Sequence, residues 1–187
     1  THAQNISAYI PTNLISITDG QIYLNPQMYS KGILPAVDVG KSVSRVGGKT
    51  QLPAYRDVAG DLRLSYSQFE ELETFARFST RLDEETRNKL ERGKRVREIF
   101  KQPQYNPFSA PEQVAVLIGV NEGLMDDLPL DRIREAEKRI IKEFNEKNSD
   151  AAGKILEGKE LDEDDKSNVI ETIKAVVESY KDTDGDS

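Results

Sequence analysis

The sequence predicts a mainly α protein in which a short stretch of strands and turns precedes a helical bundle. Three observations carry this. The chain is 36% hydrophobic and 32% charged, with a mean hydropathy of -0.63, a balance that suits helices with one solvated face better than a parallel sheet buried on both. Up to about residue 50 the chain is punctuated by Gly and Pro between short β-type runs. Beyond residues 50–53 the apolar period lengthens from two towards 3.6, the mark of amphipathic helices. With 187 residues there is ample chain for a buried core in one large domain or two small ones. The boundary predicted from the period change separates residues 1–52 from residues 53–187.

In the first part, Leu14-Ile15-Ser16-Ile17 and Ile22-Tyr23-Leu24 read as strands on either side of Asp19-Gly20. That dipeptide suits a simple hairpin, and equally Gly20 suits a close approach of the backbone to a neighbour or ligand. In the second part, a helix is expected just after Pro53, ending at Gly60. Ser65 with Gln68 has the spacing of a capping box for the next, whose face carries Phe69, Leu72 and Ala76. Asp83 is placed to cap a third, running through Leu90 and Val96 to Phe100. Pro103, Pro107 and Pro111 then enforce an extended connection. A short helix from Pro111 to Gly123, nearly free of charge, should lie at the centre of the bundle. Asp131 is placed to cap a helix carrying Ile133, Ala136, Ile140 and Phe144, and Ile170, Ile173, Val177 and Tyr180 mark the last one. The acidic run from Asp162 to Asp165 between them resembles an ion site, but carboxylates at a helix start more often stabilise its dipole and stay solvated.

Several chemistries are excluded or weakened. There is no cysteine, so no disulfide, thiolate nucleophile or thiolate metal site exists. The single histidine, His2, has no triad or metal-site partner at a recognisable spacing and reads as inert. No apolar run reaches the roughly 18 residues of a membrane-spanning helix, no signal peptide is evident, and a cytoplasmic protein is the default expectation. Asn5-Ile6-Ser7 therefore has no secretory context as a glycosylation site. The net charge of -7 argues against nucleic acid as a partner. Charge is unevenly spread: residues 1–60 carry a net +2 and the remainder -9.

Two motifs are decoys. Gly48-Lys49-Thr50 has the ending of a phosphate-binding P-loop, but Val43 stands where the first glycine is required. The tail from Asp182 to Asp186 hints at a calcium loop, yet its Gly185 is in the wrong place and no bidentate Glu follows. The segment Ser42-Val43-Ser44-Arg45-Val46-Gly47-Gly48 is different, because it sets one arginine at the end of an apolar β-type run with two glycines behind it. A guanidinium held there offers a planar fork of donors to phosphate oxygens, as phosphoryl transfer requires. The plainer alternative is a surface ion-pair residue.

The block from Ala8 to Ile22, containing Ser16-Ile17-Thr18-Asp19-Gly20-Gln21-Ile22, resembles the alpha subunits of F-type rotary ATP synthases. So do Pro35-Ala36-Val37, Ser42 to Gly48, Gln68 to Leu72 with Phe75-Ala76, Leu82-Asp83, Arg92-Gly93, Lys101-Gln102 with Gln104-Tyr105, and Glu112-Gln113-Val114. The resemblance covers nearly the whole chain and weakens after about residue 145. Gly47-Gly48 and the Gln102 to Tyr105 block favour the F-type over vacuolar or flagellar relatives.

The resemblance implies that residues 1–52 are the last strands of a RecA-like α/β nucleotide-binding domain and residues 53–187 an all-α C-terminal bundle. The chain would then begin inside a domain, as a fragment or truncated product without the P-loop. At matching positions, Arg45 corresponds to an arginine finger supplied in trans to a catalytic site on the beta subunit, and Ser42 to a serine associated with activity in the same strand. Ser16 and Gly20 match positions beside the alpha/beta interface. Gln102 and Gln104 match glutamines on the adenine of a non-exchanging nucleotide, whose base edge suits the paired donor and acceptor of an amide. Leu34 departs from the arginine usual before Pro35, near that adenine. The implied cofactors are ATP or ADP with Mg2+ in the intact subunit and none in the isolated fragment, for which no metal site and no activity are expected. Implied partners are beta subunits in an alternating hexamer, the gamma central stalk and the peripheral stalk, with the membrane touched only through the membrane sector. The implied location is the cytoplasmic side of the cell membrane. The alternative is a stand-alone helical interaction module derived from the alpha subunit, binding no nucleotide.

Overall fold

The computed structural model describes residues 5–76 and 82–181; His2 and the Asp182–Asp186 tail, both discussed above, lie outside the described residues. The protein is mainly α, with one two-stranded sheet among the described residues. Helix α1 (Tyr9–Ile17), strand β1 (Gly20–Gln21), helix α2 (Pro26–Ser30) and strand β2 (Val43–Ser44) come first, followed by a 3-10 turn (Gly47–Lys49). Six helices follow: α3 (Pro53–Ala76), α4 (Glu84–Phe100), α5 (Ala110–Asn121), α6 (Ile133–Lys147), α7 (Ser149–Leu156) and α8 (Glu163–Lys181).

The stretch Leu14-Ile15-Ser16-Ile17, expected as a strand, is the end of α1. Pro11 sits in the first turn, where its missing N–H has no intrahelical partner. Ser16 Oγ donates back to Thr12 O at 2.8 Å and Thr18 Oγ1 to Leu14 O at 2.7 Å. The hairpin across Asp19-Gly20 is also not formed. β1 pairs instead antiparallel with the distant β2, Gly20 opposite Ser44 and Gln21 opposite Val43. Of the expected strand from Ile22 to Leu24, only Leu24 bridges another chain segment, at Val37.

Of the expectations for the helical part, the two helices placed over residues 53–76 are a single one. Ala54, Val58, Leu62, Tyr66 and Phe69 form one buried stripe at spacings of four, four, four and three, so burial carries α3 straight past Gly60 and Ser65 on the solvent side. Asp83 caps α4 as expected, its carboxylate accepting from Thr86 N at 2.7 Å. Ser109 and Glu112 form the capping box of α5, whose Val114, Ala115, Val116, Ile118 and Val120 are buried. This helix touches α3, α6, α7 and α8, which makes it the centre of the bundle. Helix α6 buries Ile133, Ala136, Ile140 and Phe144, but Arg132 rather than Asp131 occupies its N-cap position, without a side-chain cap. Helix α7 had no sequence expectation.

The acidic run is only partly solvated. Asp162 Oδ1 accepts from Asp165 N at 2.9 Å while Asp165 Oδ2 accepts from Asp162 N at 3.2 Å, a reciprocal cap for α8. Lys154 joins both carboxylates, and Asp165 is buried. No group of acidic or histidine side chains among the described residues is arranged to hold a metal ion. No helix among them is long and apolar enough to cross a membrane.

Candidate functional site

Two clusters of the residues singled out from sequence emerge, each moored to the bundle through a main-chain carbonyl. The first gathers Ser16, Gly20 and Arg45. Because β1 and β2 pair through Gly20 and Ser44, Arg45 leaves the sheet beside the end of α1, and Arg45 N donates to Asp19 O at 2.7 Å. Its guanidinium turns back onto the last turn of that helix, donating to Ile15 O at 2.9 Å and Ser16 O at 3.3 Å. These carbonyls lack intrahelical partners and carry the negative end of the helix dipole, so a cation is favoured there. The exposed Arg45 forms no ion pair among the described residues. Two of its five N–H donors are engaged, leaving three for an incoming oxyanion.

Gly20 fulfils the close-approach alternative. A Cβ there would lie 3.0 Å from Ser44 Cα and overlap Val43 O, so any side chain would push the two strands apart. The Ser16 hydroxyl faces its own helix, bonded to Thr12 O. Ser42 lies next door as a structural tie: its Oγ donates to Asp38 O at 2.6 Å and accepts from Tyr23 N at 2.9 Å. Arg63 of α3 donates to Ser42 O at 3.0 Å, the first mooring. Sequence reasoning missed Asp38, a buried carboxylate that accepts from Lys41 N and Asn25 Nδ2 and pairs with the Lys41 ammonium at 3.3 Å. Its only sequence signal was an acid among Gly, Pro and Val. Across from it on α3, burial first and the Asp38 charge second raise the Glu70 carboxyl above its ordinary pKa.

The second cluster lies on the Pro-rich connection after α4. Gln102 N donates to Leu34 O at 2.8 Å, which brings Leu34 and the Gln102 block together although they are far apart in sequence. The Gln102 amide makes one long contact, 3.5 Å to Asn106 O. Gln104 is exposed, and Tyr105 beside it, itself 93% exposed, takes a left-handed φ of 64°. Both glutamines thus keep amide donors and acceptors available for a base edge. Behind the loop lies a cavity of about 160 Å³ lined in part by Gln102, Phe108, Gln113 and Glu137. Burial raises the Glu137 carboxyl above its ordinary pKa despite the Arg134 guanidinium beside it. Lys49 ends the 3-10 turn and Thr50 caps it, Thr50 N donating to Gly47 O.

The family described as ATP synthase alpha/beta chain, C terminal domain, matches residues 51–176. The ATP synthase alpha/beta family nucleotide-binding domain matches residues 1–44. ATP synthase subunit alpha 2 of Syntrophus aciditrophicus is 63% identical over 95% of this chain and 34% of its own length. ATP synthase subunit alpha 1 of Rhodopirellula baltica is 60% identical over 87% of this chain and 32% of its own. ATP synthase subunit alpha 2 of Syntrophotalea carbinolica is 62% identical over 88% and 31%. The chain therefore spans about a third of the length of these relatives. With the C-terminal family match covering well over half of its residues, the chain belongs to the ATP synthase alpha/beta family, and the relatives it resembles there are alpha subunits.

Proposed function

We propose that this chain is the C-terminal part of a noncatalytic, regulatory alpha subunit of a rotary F-type ATP synthase, and that Arg45 reaches in trans into a catalytic site housed by a neighbouring beta subunit. The observation that supports this most is the seating of the guanidinium on the carbonyls of Ile15 and Ser16, with no acidic partner among the described residues. Such a fork is aimed but not neutralised. In an alternating alpha/beta hexamer it would meet the phosphoryl group passing between ADP and phosphate on one side and ATP on the other. An arginine supplied in trans contributes roughly 10³ to 10⁵ in rate, or about 4 to 7 kcal/mol of transition-state stabilisation. Gly20 and Ser16 would set the local backbone at that interface, and Ser42 would hold the strand that carries Arg45.

The Gln102–Gln104 loop is proposed to face the adenine of a nucleotide bound by the intact subunit, with Leu34 replacing a cation there. Mg2+, when bound with the nucleotide, would neutralise phosphate charge, for which neither cluster supplies a ligand. Residues 1–52 and 53–187 are proposed as separate domains, the second contacting the gamma stalk and peripheral stalk side of the assembly. Coupling to ion flow, at the cytoplasmic face of a membrane, belongs to the same proposal. The isolated chain is proposed to be inactive.

The test is Arg45→Lys in a reconstituted complex whose alpha subunit carries this segment. Lysine keeps the charge but cannot hold two carbonyls and a phosphate with one fork. Assembly should be normal and steady-state turnover should fall by roughly 10³ or more. Near-normal turnover would sink the proposal. Titrating the isolated chain with ATP in a calorimeter should give no saturable heat, and saturable binding would show that a usable nucleotide pocket survives in it.

A further inference from the structure

The peptide group between Lys101 and Gln102 is gripped from both edges by different parts of the molecule. Its N–H, from Gln102, donates to Leu34 O in the segment before the bundle at 2.8 Å. Its C=O, from Lys101, accepts from Nη2 of Arg134 on α6. The two groups of one peptide point in opposite directions, so bonding both fixes the tilt of the plane and the direction in which the Gln102 side chain departs. Arg134 is itself held: its Nη1 donates to Glu137 Oε2 at 2.8 Å, one helical turn further along. Glu137 is 2% exposed and lines the cavity behind Gln102.

In this pair Glu137 is buried and the Arg134 side chain is 30% exposed, so desolvation of the carboxylate offsets part of the Coulomb attraction. We infer that Arg134 and Glu137 are positioning residues for the Gln102–Gln104 loop, orienting its amides and locking the loop to α6 on one side and to Leu34 on the other. The consequence for base recognition rests on the adenine proposal. The clamp does not.

Amide hydrogen exchange of the ¹⁵N-labelled chain tests it without any nucleotide. Two variants are compared with the parent. Arg134→Lys keeps the charge opposite Glu137 but loses the fork. The double change Arg134→Leu with Glu137→Leu removes both charges at similar bulk, so the bundle stays folded. In both, exchange at Gln102 N–H should accelerate at least about tenfold, while Val116 and Ile140, deep in α5 and α6, stay within about twofold. Unchanged exchange at Gln102 overturns the inference. So does acceleration of all three amides by one factor, which would make the pair a general stabiliser. The adenine proposal is separated by measuring ADP against GDP affinity in the intact subunit carrying Arg134→Lys. A released Gln102 amide with an unchanged nucleotide preference would keep the clamp and sink the adenine role.

Discussion

Replacing Gly93 with alanine should destabilise the bundle even though alanine is the better helix former. Gly93 lies within α4 where that helix crosses α3, and its Cα faces the Phe69 ring. A Cβ built there would fall inside contact distance of three ring atoms, the farthest of them, Cε2, at 2.7 Å. The ring is held on two sides, since Phe69 is buried, tilted against Tyr66 with centroids 5.7 Å apart, and covered by the Arg97 guanidinium at 4.5 Å, while a cavity of about 580 Å³ that Phe69 and Gly93 both line gives it room to shift on another. That guanidinium is in turn fixed by two bonds to Glu73, at 2.7 and 2.9 Å. Overpacking a core of this kind costs about 1 to 3 kcal/mol, occasionally more. Removing a glycine from a helix interior returns about 1 kcal/mol. The net expectation is a loss of up to about 2 kcal/mol. Gly60 is the internal control, since it is exposed in α3 with nothing within 4 Å of an added Cβ. Gly60→Ala should therefore stabilise by about 0.5 to 1 kcal/mol. Urea unfolding followed by far-ultraviolet circular dichroism, with matched m-values, measures both. A Gly93→Ala protein stabilised as much as Gly60→Ala would refute the packing argument, because the added methyl would then have met no clash.

Two further outcomes follow from the electrostatics. Asp165→Ala removes one half of the reciprocal cap of α8 and a carboxylate bonded to Lys154, and should cost about 0.5 to 2 kcal/mol in the same unfolding assay. No measurable loss would show that the cap is dispensable. For Glu137, burial raises the folded-state pKa above the ordinary value of 4.5, so above that pH the folded state binds more protons than the unfolded one and this group's contribution to stability declines as pH rises. Glu137→Gln cannot titrate. Its stability relative to the parent should therefore increase as pH is raised through and above 4.5, read from urea midpoints at a series of pH values. A difference that is flat or falls with pH would contradict the sign.

The helical part was legible wherever one local signal sufficed. Asp83 capped its helix, the proline series held the connection open, and the apolar run after Pro111 became the buried centre, because caps, prolines and unbroken apolar runs act within a few residues of themselves. Expectations failed where a local breaker met a longer stripe. Gly60 and Ser65 looked like an end and a start, but neither interrupts the five buried residues from Ala54 to Phe69. The β-branched stretch ending α1 failed for the complementary reason: its carbonyls are satisfied by Arg45, some 30 positions along the chain. Asp131 had the chemistry of a cap but not the position.

The sequence by itself therefore determined the mainly α class, the family resemblance, and the identities of Arg45, Ser42, Gln102 and Gln104 as residues of interest. It carried these because composition, period and motif are properties of neighbouring residues. Tertiary structure alone decided how those residues are held. The pairing of Gly20 with Ser44 puts Arg45 on the end of α1. The meeting of Leu34 with Gln102, and of Lys101 with Arg134, makes one peptide group a joint between α6 and the segment before the bundle. Each of these contacts joins residues distant in sequence, and a main-chain carbonyl accepts from whichever donor the fold delivers, so no residue pattern announces it.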